Sequence, residues 1–305
     1  MEFRMKKVIG LWVLLIIFSG SLVRAQYTTS SIDDEKAHEI VLTGTPDDVK
    51  KLVETGYDIN KEYLASTLLI TAVKSASYAT RTRSTPQQAL EKIKILVEAG
   101  AEVDITPRAG FSMTALDWAI VSPVKAMEAE NLVNKIFEEK IEKGEGQCRI
   151  PYVIDKPCKD ITVEDKKVIK KAIHSTYVTI IKNWMPDYME IIKYLIANGS
   201  NINNNSNVKK ITPIHLATMN PSEITIEPLT FLIQHGADIN AQDENGNTPL
   251  FWAYGAGDKQ IVSVLKEAGA DESIKNKKGL LYNQVTAIKT KVNIGENNQL
   301  TVQFN

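Results

Sequence analysis

The histidines and cysteines, the side chains most readily turned to acid–base, nucleophilic or transition-metal chemistry near neutral pH, number six in this 305-residue chain: His38, His174, His215, His235, Cys148 and Cys158. The four histidines lie in separate segments. None stands beside a nucleophile motif, a Gly-rich phosphate loop or further metal-ligand types at ligand spacing. Cys148 and Cys158 are ten residues apart. That pair suits one disulfide in an oxidising compartment, or half of a metal site, and no His or third Cys lies close enough in sequence to complete the latter. Asp243–Glu244–Asn245–Gly246–Asn247 has the composition of a calcium loop but lacks a bidentate Glu at the required spacing, so it reads as a turn. The expectation is a protein that is not an enzyme and has neither cofactor nor metal.

The elements that must position these residues begin after residue 25. Arg4, Lys6 and Lys7 precede an apolar run from Val8 to Phe18, and then come Ser19–Gly20–Ser21 and Val23–Arg24–Ala25. This is the order of a signal peptide cleaved after Ala25. The run is short for a bilayer span, which needs about 20 apolar residues; a retained anchor stays open as the alternative. Losing Arg4, Lys6, Lys7 and Arg24 against one acid, Glu2, takes the formal charge from −1 to −4. Charge therefore gives no support to nucleic acid or an anionic membrane as partner. Asn198–Gly199–Ser200 and Asn204–Asn205–Ser206 are glycosylation sequons only in a secretory eukaryotic host.

Two landmarks recur in register along the rest. One is a Gly followed by a small or acidic run ending in Asn or Asp: Gly56–Asn60, Gly100–Asp104, Gly199–Asn203, Gly236–Asn240 and Gly269–Asp271. The other is a Thr opening an apolar run: Thr67–Leu68–Leu69, Thr114–Ala115–Leu116, Thr212–Pro213–Ile214–His215 and Thr248–Pro249–Leu250. The Gly landmarks are 44, 99, 37 and 33 residues apart, and the Thr landmarks 47, 98 and 36. Gly suits a left-handed helix exit, Thr caps the next helix, and Pro fits its first position. Before each Gly runs an apolar stripe at helical spacing: Val49, Leu52, Val53; Ile93, Leu96, Val97; Ile191, Ile192, Leu195; Leu229, Leu232, Ile233; Ile261, Val262, Leu265.

On these landmarks the chain resembles the ankyrin repeat family, whose unit is a turn plus two short antiparallel helices repeating about every 33 residues. The resemblance implies an all-α solenoid over residues 36–122, 187–275 and the start of a degenerate capping unit after Asn276. Residues 36–60 supply only a second helix and its exit, as an N-terminal cap would, and Leu69–Ile70 stands where the family has Leu-His. Residues 1–25 are the signal peptide, 26–35 a linker, 36–289 the repeat domain and 290–305 a tail. By the same resemblance His215 bonds between neighbouring repeats and His235 precedes the helix-ending Gly. Partner-facing positions carried over by register are Tyr63, Leu64 and Ser66; Phe111 and Met113; Val208, Lys209 and Ile211; and Glu244, Asn245 and Asn247. Tyr63, Leu64, Phe111, Val208 and Ile211 are apolar there, which reads either as a binding stripe or as packing under the adjacent turn.

The 99-residue interval contains about 66 residues beyond one period, inserted between the two helices of the second full repeat. Residues 131–145 read as a helix with Val133, Ile136, Phe137 and Ile141 on one face. Residues 162–184 read as another, with Ile169, Ile173, Tyr177, Ile180 and Trp184 on one face. The expected picture is an antiparallel helical pair over residues 123–186, rooted near Pro123 and Pro186, where kinks are expected, with a Cys148–Cys158 bond pinning the loop at its tip. A shorter polar insertion, Ser77–Gln88, carries Arg81, Arg83 and Pro86. The function implied is a protein-binding module acting outside the cytoplasm, periplasmic or secreted with a bacterial host preferred, a monomer whose partner protein is unidentified and which leaves the membrane after signal cleavage. The alternatives are an enzyme or enzyme accessory with its activity in the insertion, or a structural envelope protein.

Overall fold

The computed structural model describes residues 32–77, 84–108, 112–144, 146–150, 153–207, 209–219, 222–285, 292–294 and 300–302. The expected signal peptide, most of the linker and tail, Arg81 and Arg83 lie outside the described residues. The chain divides into two compact units: residues 32–124 with those from 185 onward, and residues 125–184.

The larger unit is a succession of helix pairs. In chain order these are α1 (Asp34–Thr43) and α2 (Pro46–Glu54), α3 (Leu68–Lys74) and α4 (Pro86–Glu98), the start of α5 (Ala115–Lys143) and the end of α6 (Val163–Ala197), α7 (Pro213–Thr218) and α8 (Ser222–Gln234), and α9 (Pro249–Ala256) and α10 (Lys259–Glu267). A 3₁₀ turn at Tyr282–Gln284 follows, and strands β3 (Val292–Ile294) and β4 (Leu300–Val302) pair antiparallel near the end. First helices pack on first helices, α1 on α3 and α7 on α9. Second helices pack on second helices, α2 on α4 and α8 on α10.

Local chemistry starts each helix where the landmarks put it. Thr67 accepts from the Ile70 N–H at 3.3 Å. Thr45 and Asp48 form a reciprocal capping box, as do Thr85 and Gln88, and Pro46, Pro86, Pro213 and Pro249 take first-turn positions where no N–H is needed. The exits need a left-handed residue. At Gly236, φ is +87° and a Cβ would meet nothing within 4 Å, so backbone conformation rather than space demands glycine. The N-terminal unit departs from expectation. It has a first helix, α1, capped by Asp33 through the Lys36 N–H at 2.8 Å, and α1 buries Ala37, Ile40 and Val41.

The stripes fill the stack. Val49, Leu52, Ile93, Leu96, Ile191, Ile192, Leu195, Leu229, Leu232, Ile261 and Leu265 are buried, while Val53, Val97, Ile233 and Val262 sit half-exposed at its edge. Polar clamps set the spacing between repeats. Asn60 donates to Gly100 O at 3.1 Å and accepts from the Glu102 N–H at 2.8 Å. Asn203 does the same with Gly236 O and the Asp238 N–H, and Asn240 accepts from the Asp271 N–H. One buried cation is part of this packing: Lys92, fully enclosed, donates to Val41 O at 2.9 Å and Ser84 Oγ at 2.8 Å, and burial lowers its pKa to about 8.

The smaller unit comprises the end of α5, a two-stranded antiparallel hairpin of β1 (Gln147–Ile150) and β2 (Ile154–Pro157), and the first part of α6. The helices run antiparallel, with Glu130 3.1 Å from His174 and Glu138 2.7 Å from Lys170. The hairpin corrects the expectation of a bare loop. Its alternation turns Cys148, Ile150 and Ile154 inward, where Ile150 and Ile154 join Val133, Ile169, Ile173 and Tyr177 in one core. Two stripe assignments also change. Ile136 is 47% exposed because Phe137 takes the inward position, and Ile181 is buried while Ile180 and Trp184 are half-buried, four residues from Tyr177 matching the helical turn better than three. Pro123 and Pro186 lie inside α5 and α6, each costing a backbone bond. Cys148 and Cys158 are bonded, with Cα atoms 4.9 Å apart and both side chains buried.

Two outcomes are expected. Leu232→Ala should cost about 2–5 kcal/mol by leaving a cavity. Because each repeat is held by its neighbours, hydrogen exchange should report lost protection on both sides of α8, and a loss confined to residues 212–236 would contradict that coupling. Cys158→Ser should weaken the small unit by about 2–3 kcal/mol through loop-closure entropy, leaving the repeats folded by circular dichroism. Mass spectrometry of the non-reduced protein checks the bond.

Candidate functional site

The site lies on the turns that precede each first helix. Two residues before each helix-opening position the backbone has positive φ: Ala65 (58°), Ser112 (52°), Lys210 (53°), Gly246 (77°) and Gly279 (75°). Glycine serves at the last two, and at Gly246 a Cβ would also stand 3.0 Å from the Lys277 backbone N. The first three turns hold side chains in a conformation that costs L-residues about 1–2 kcal/mol each. In the first, Tyr63 and Ser66 exchange both backbone bonds at 2.9 and 3.0 Å, and the two residues between them, Leu64 (φ 47°) and Ala65, make a tight hairpin tip of the type that prefers Asn-Gly. Leu64 is 75% exposed at that tip.

Successive tips are tied together. The Arg108 N–H donates to the Glu62 carboxylate at 3.0 Å, the Glu244 N–H to Lys209 O at 2.8 Å and the Lys277 N–H to Asn245 O at 2.9 Å. Lys209 and Glu244 also form an ion pair between neighbouring tips. Asp243 organises the fourth turn. Its carboxylate accepts from the Asn245 and Asn247 backbone N–H groups at 2.8 Å, from Asn247 Nδ2 at 3.2 Å and from Trp252 Nε1 at 2.9 Å. All of its lone pairs therefore serve the turn.

Burial sorts the residues singled out from sequence. Leu64 and Asn245 are exposed, and Tyr63, Lys209 and Glu244 half-exposed. Ser66, Met113, Ile211 and Asn247 are buried, which corrects their reading as outward contacts: they support the turns from beneath. Ile211 thereby takes the packing alternative. Phe111 and Val208 lie outside the described residues. Sequence reasoning missed Lys74, whose Nζ lies 4.4 Å above the Trp118 ring and 3.4 Å from Ser66 Oγ at the base of the first tip. The available signal was that Lys74 alone brings a cation to α3.

The histidines serve structure. His215 receives the Thr212 hydroxyl at Nδ1 (2.7 Å) and donates from Nε2 to Asn247 O in the next turn (3.1 Å), with burial lowering its pKa to about 4. His38 Nδ1 meets Thr71 Oγ1 at 2.7 Å, and burial brings it to about 4 as well. His235 donates to Phe231 O at 2.8 Å and stacks on the Phe231 ring at 3.8 Å. His174 pairs with Glu130.

The second repeat differs. Asp117 occupies the helix position that His215 takes in the third, accepts from the Thr114 N–H and hydroxyl at 3.0 Å through Oδ2, and is fully enclosed. Burial raises its pKa to about 7. Asp104 stands where Asn60, Asn203 and Asn240 clamp other repeats, accepting from the Asn201 N–H at 3.2 Å and Asn204 Nδ2 at 3.3 Å, and burial raises its pKa too. It borders an open cavity of about 520 Å³ lined by Val97, Ala101, Glu102, Val103, Ile105 and Asn198. Among the described residues no group of three His, Cys, Asp or Glu side chains converges to hold a metal, and no helix is long and apolar enough to cross a membrane.

Known proteins share the repeat at the level of sequence. A family model described as ankyrin repeats, in three copies, matches residues 184–276. Ankyrin repeat and SOCS box protein 6 of Homo sapiens is 27% identical over 140 residues, 44% of this chain and 31% of that protein. A putative ankyrin repeat protein of Borreliella burgdorferi is 39% identical over 71 residues, 23% of this chain and 31% of its own length. One from Rickettsia felis is 24% identical over 196 residues, 60% of this chain and 48% of its own length. The chain thus spans between 31% and 48% of the length of these three relatives. With five turn tips in register, paired helices stacked like on like and this match over residues 184–276, the chain resembles the ankyrin repeat proteins and has their all-α repeat fold.

Proposed function

We propose that this chain is an exported, non-catalytic binding protein, periplasmic or secreted, that holds a protein partner along its turn tips. Ankyrin repeats supply the coarser half of this reading, since repeats of this kind are protein-interaction modules. The observation that carries the placement of the partner on the turn tips is Leu64. A large apolar side chain is 75% exposed on a backbone with positive φ, where Asn or Gly would cost less. Strain and exposure of the same residue are both unfavourable to the free protein, which is what a contact kept for a partner looks like. Tyr63 widens the patch, and Lys209, Glu244 and Asn245 continue it as a polar edge. The partner segment therefore presents an apolar side chain to Leu64 and hydrogen-bonding groups to the later tips.

The smaller unit offers a second surface. Val163 is 74% exposed, Ile136 47% and Val168 44%. The two readings part experimentally. Leu64→Asn should raise stability by up to about 1 kcal/mol by relieving the left-handed strain, yet weaken capture of the partner from the exporting cell at least tenfold. Val163→Asp with Val168→Asp should leave capture unchanged. Loss of capture only with the second pair would move the binding surface to residues 125–184; capture indifferent to all three changes would overturn the turn-tip reading.

Export rests on the basic, apolar and small-residue order of residues 4–25. The exported protein should begin at Gln26 on N-terminal sequencing. An intact Met1 recovered in the membrane fraction would refute cleavage.

A further inference from the structure

The junction between the second and third repeats is built from different chemistry than its neighbours. At the third-to-fourth junction two neutral groups bridge the repeats: the Asn203 amide clamps Gly236 O and the Asp238 N–H, and His215 Nε2 donates to Asn247 O. At the second-to-third junction the corresponding positions hold carboxyls. Asp104 accepts from the Asn201 N–H, the counterpart of the Asp238 N–H, but an ionised carboxylate has no hydrogen to give to the carbonyl of Gly199. Asp117 stands in the place of His215. Its Oδ1 is buried and has no hydrogen-bond partner among the described residues. The carbonyl that matches Asn247 O in this register, that of Ile211, is instead taken by Asn207 Nδ2.

We propose that this junction is a proton-linked joint, tightest when the enclosed Asp117 carries a proton and loosened, though not released, as Asp117 ionises. A protonated Asp117 places a neutral carboxylic acid, still accepting from Thr114 at Oδ2, in the enclosed site where the ion has only the two Thr114 donors to solvate it. A protonated Asp104 gains the donor that Asn supplies at the other clamps. The two carboxyls are coupled, because an ionised Asp104 is the charged group whose field reaches Asp117, raising its affinity for a proton. The groups bonded to Asp104 are the Asn201 N–H and Asn204 Nδ2, and Glu102 is the other acid lining the same cavity. Among the described residues no Lys, Arg or His pairs with either carboxyl.

The sign follows from proton counts. Between the ordinary aspartate value and neutral pH the folded protein keeps the Asp117 proton and the unfolded chain does not, so this contribution to stability falls as pH rises and levels off above neutrality. His38 and His215 act the other way: held neutral by burial, they bind protons only when unfolded over much of the same range. The effect is therefore read as a difference between proteins. Urea unfolding of the full chain and of Asp117→Asn is followed from about pH 4 to 8, with hydrogen exchange at Asn201 and residues 211–216. The ratio of folding constants, variant over natural chain, should rise by up to tenfold per pH unit and then plateau. Protection at those amides should fall with pH in the natural chain alone. Asp104→Asn copies the clamp of the other repeats, so it preserves the fold and should move the plateau to lower pH. A ratio independent of pH, or protection changes that avoid this junction, would overturn the proposal. If Asp117→Asn does not fold, an unmoved profile in Asp104→Asn overturns it instead.

Discussion

Every helix pair here is amphipathic in a way that it cannot resolve alone. α2, for example, puts Val49 and Leu52 on one side, and α1 puts Ala37, Ile40 and Val41 on another. Burying one such aliphatic side chain is worth about 1.5–3 kcal/mol, and the only apolar surface at hand is the next pair along the chain. Stacking is therefore the condition for all else. It fixes the order like on like, and it makes the carbonyl and N–H at each glycine exit face the Asn of the preceding repeat, as Asn60 faces Gly100 and Glu102.

The clamps convert a nonspecific hydrophobic stack into one with a set spacing, and the turn tips rely on that spacing. Ala65, Ser112 and Lys210 remain in a left-handed conformation that none of them favours because the surrounding bonds over-determine it. In the fourth turn Asp243 performs that task with four donors, one of them the indole of Trp252. The polar interior is thus extensive and largely satisfied. Among the described residues five buried side-chain atoms have no partner, those of His38, Asp117, Asn134, Tyr177 and Ser200, and Asp117 is the carboxylate among them.

The unit of residues 125–184 solves the problem of a small core differently. Its apolar cluster is short, Val133, Ile150, Ile154, Ile169, Ile173 and Tyr177, with four partly buried neighbours. A core of this size gains from a covalent closure, and the Cys148–Cys158 bond fastens the hairpin that contributes two of its six members.

Much was legible in the residues themselves. Helix starts and exits follow from Thr, Pro and Gly at places where local backbone geometry admits few alternatives, so the repeat count, the stripes of the second helices and the position of the inserted segment could all be read. The Cys pair was legible too, since no other thiol competes in the chain. What local rules could not supply is which face of a turn or helix meets a neighbour. Ser66, Met113, Ile211 and Asn247 share their register with exposed family positions, yet all four are buried beneath the turns. Ile181 rather than Ile180 enters the small core, and β1 and β2 are too short to show a periodic pattern in sequence. Likewise, Asp104 and Asp117 look like ordinary acids until stacking removes their water. Burial and proton affinity belong to the packed neighbourhood, and only the tertiary structure brings that neighbourhood together.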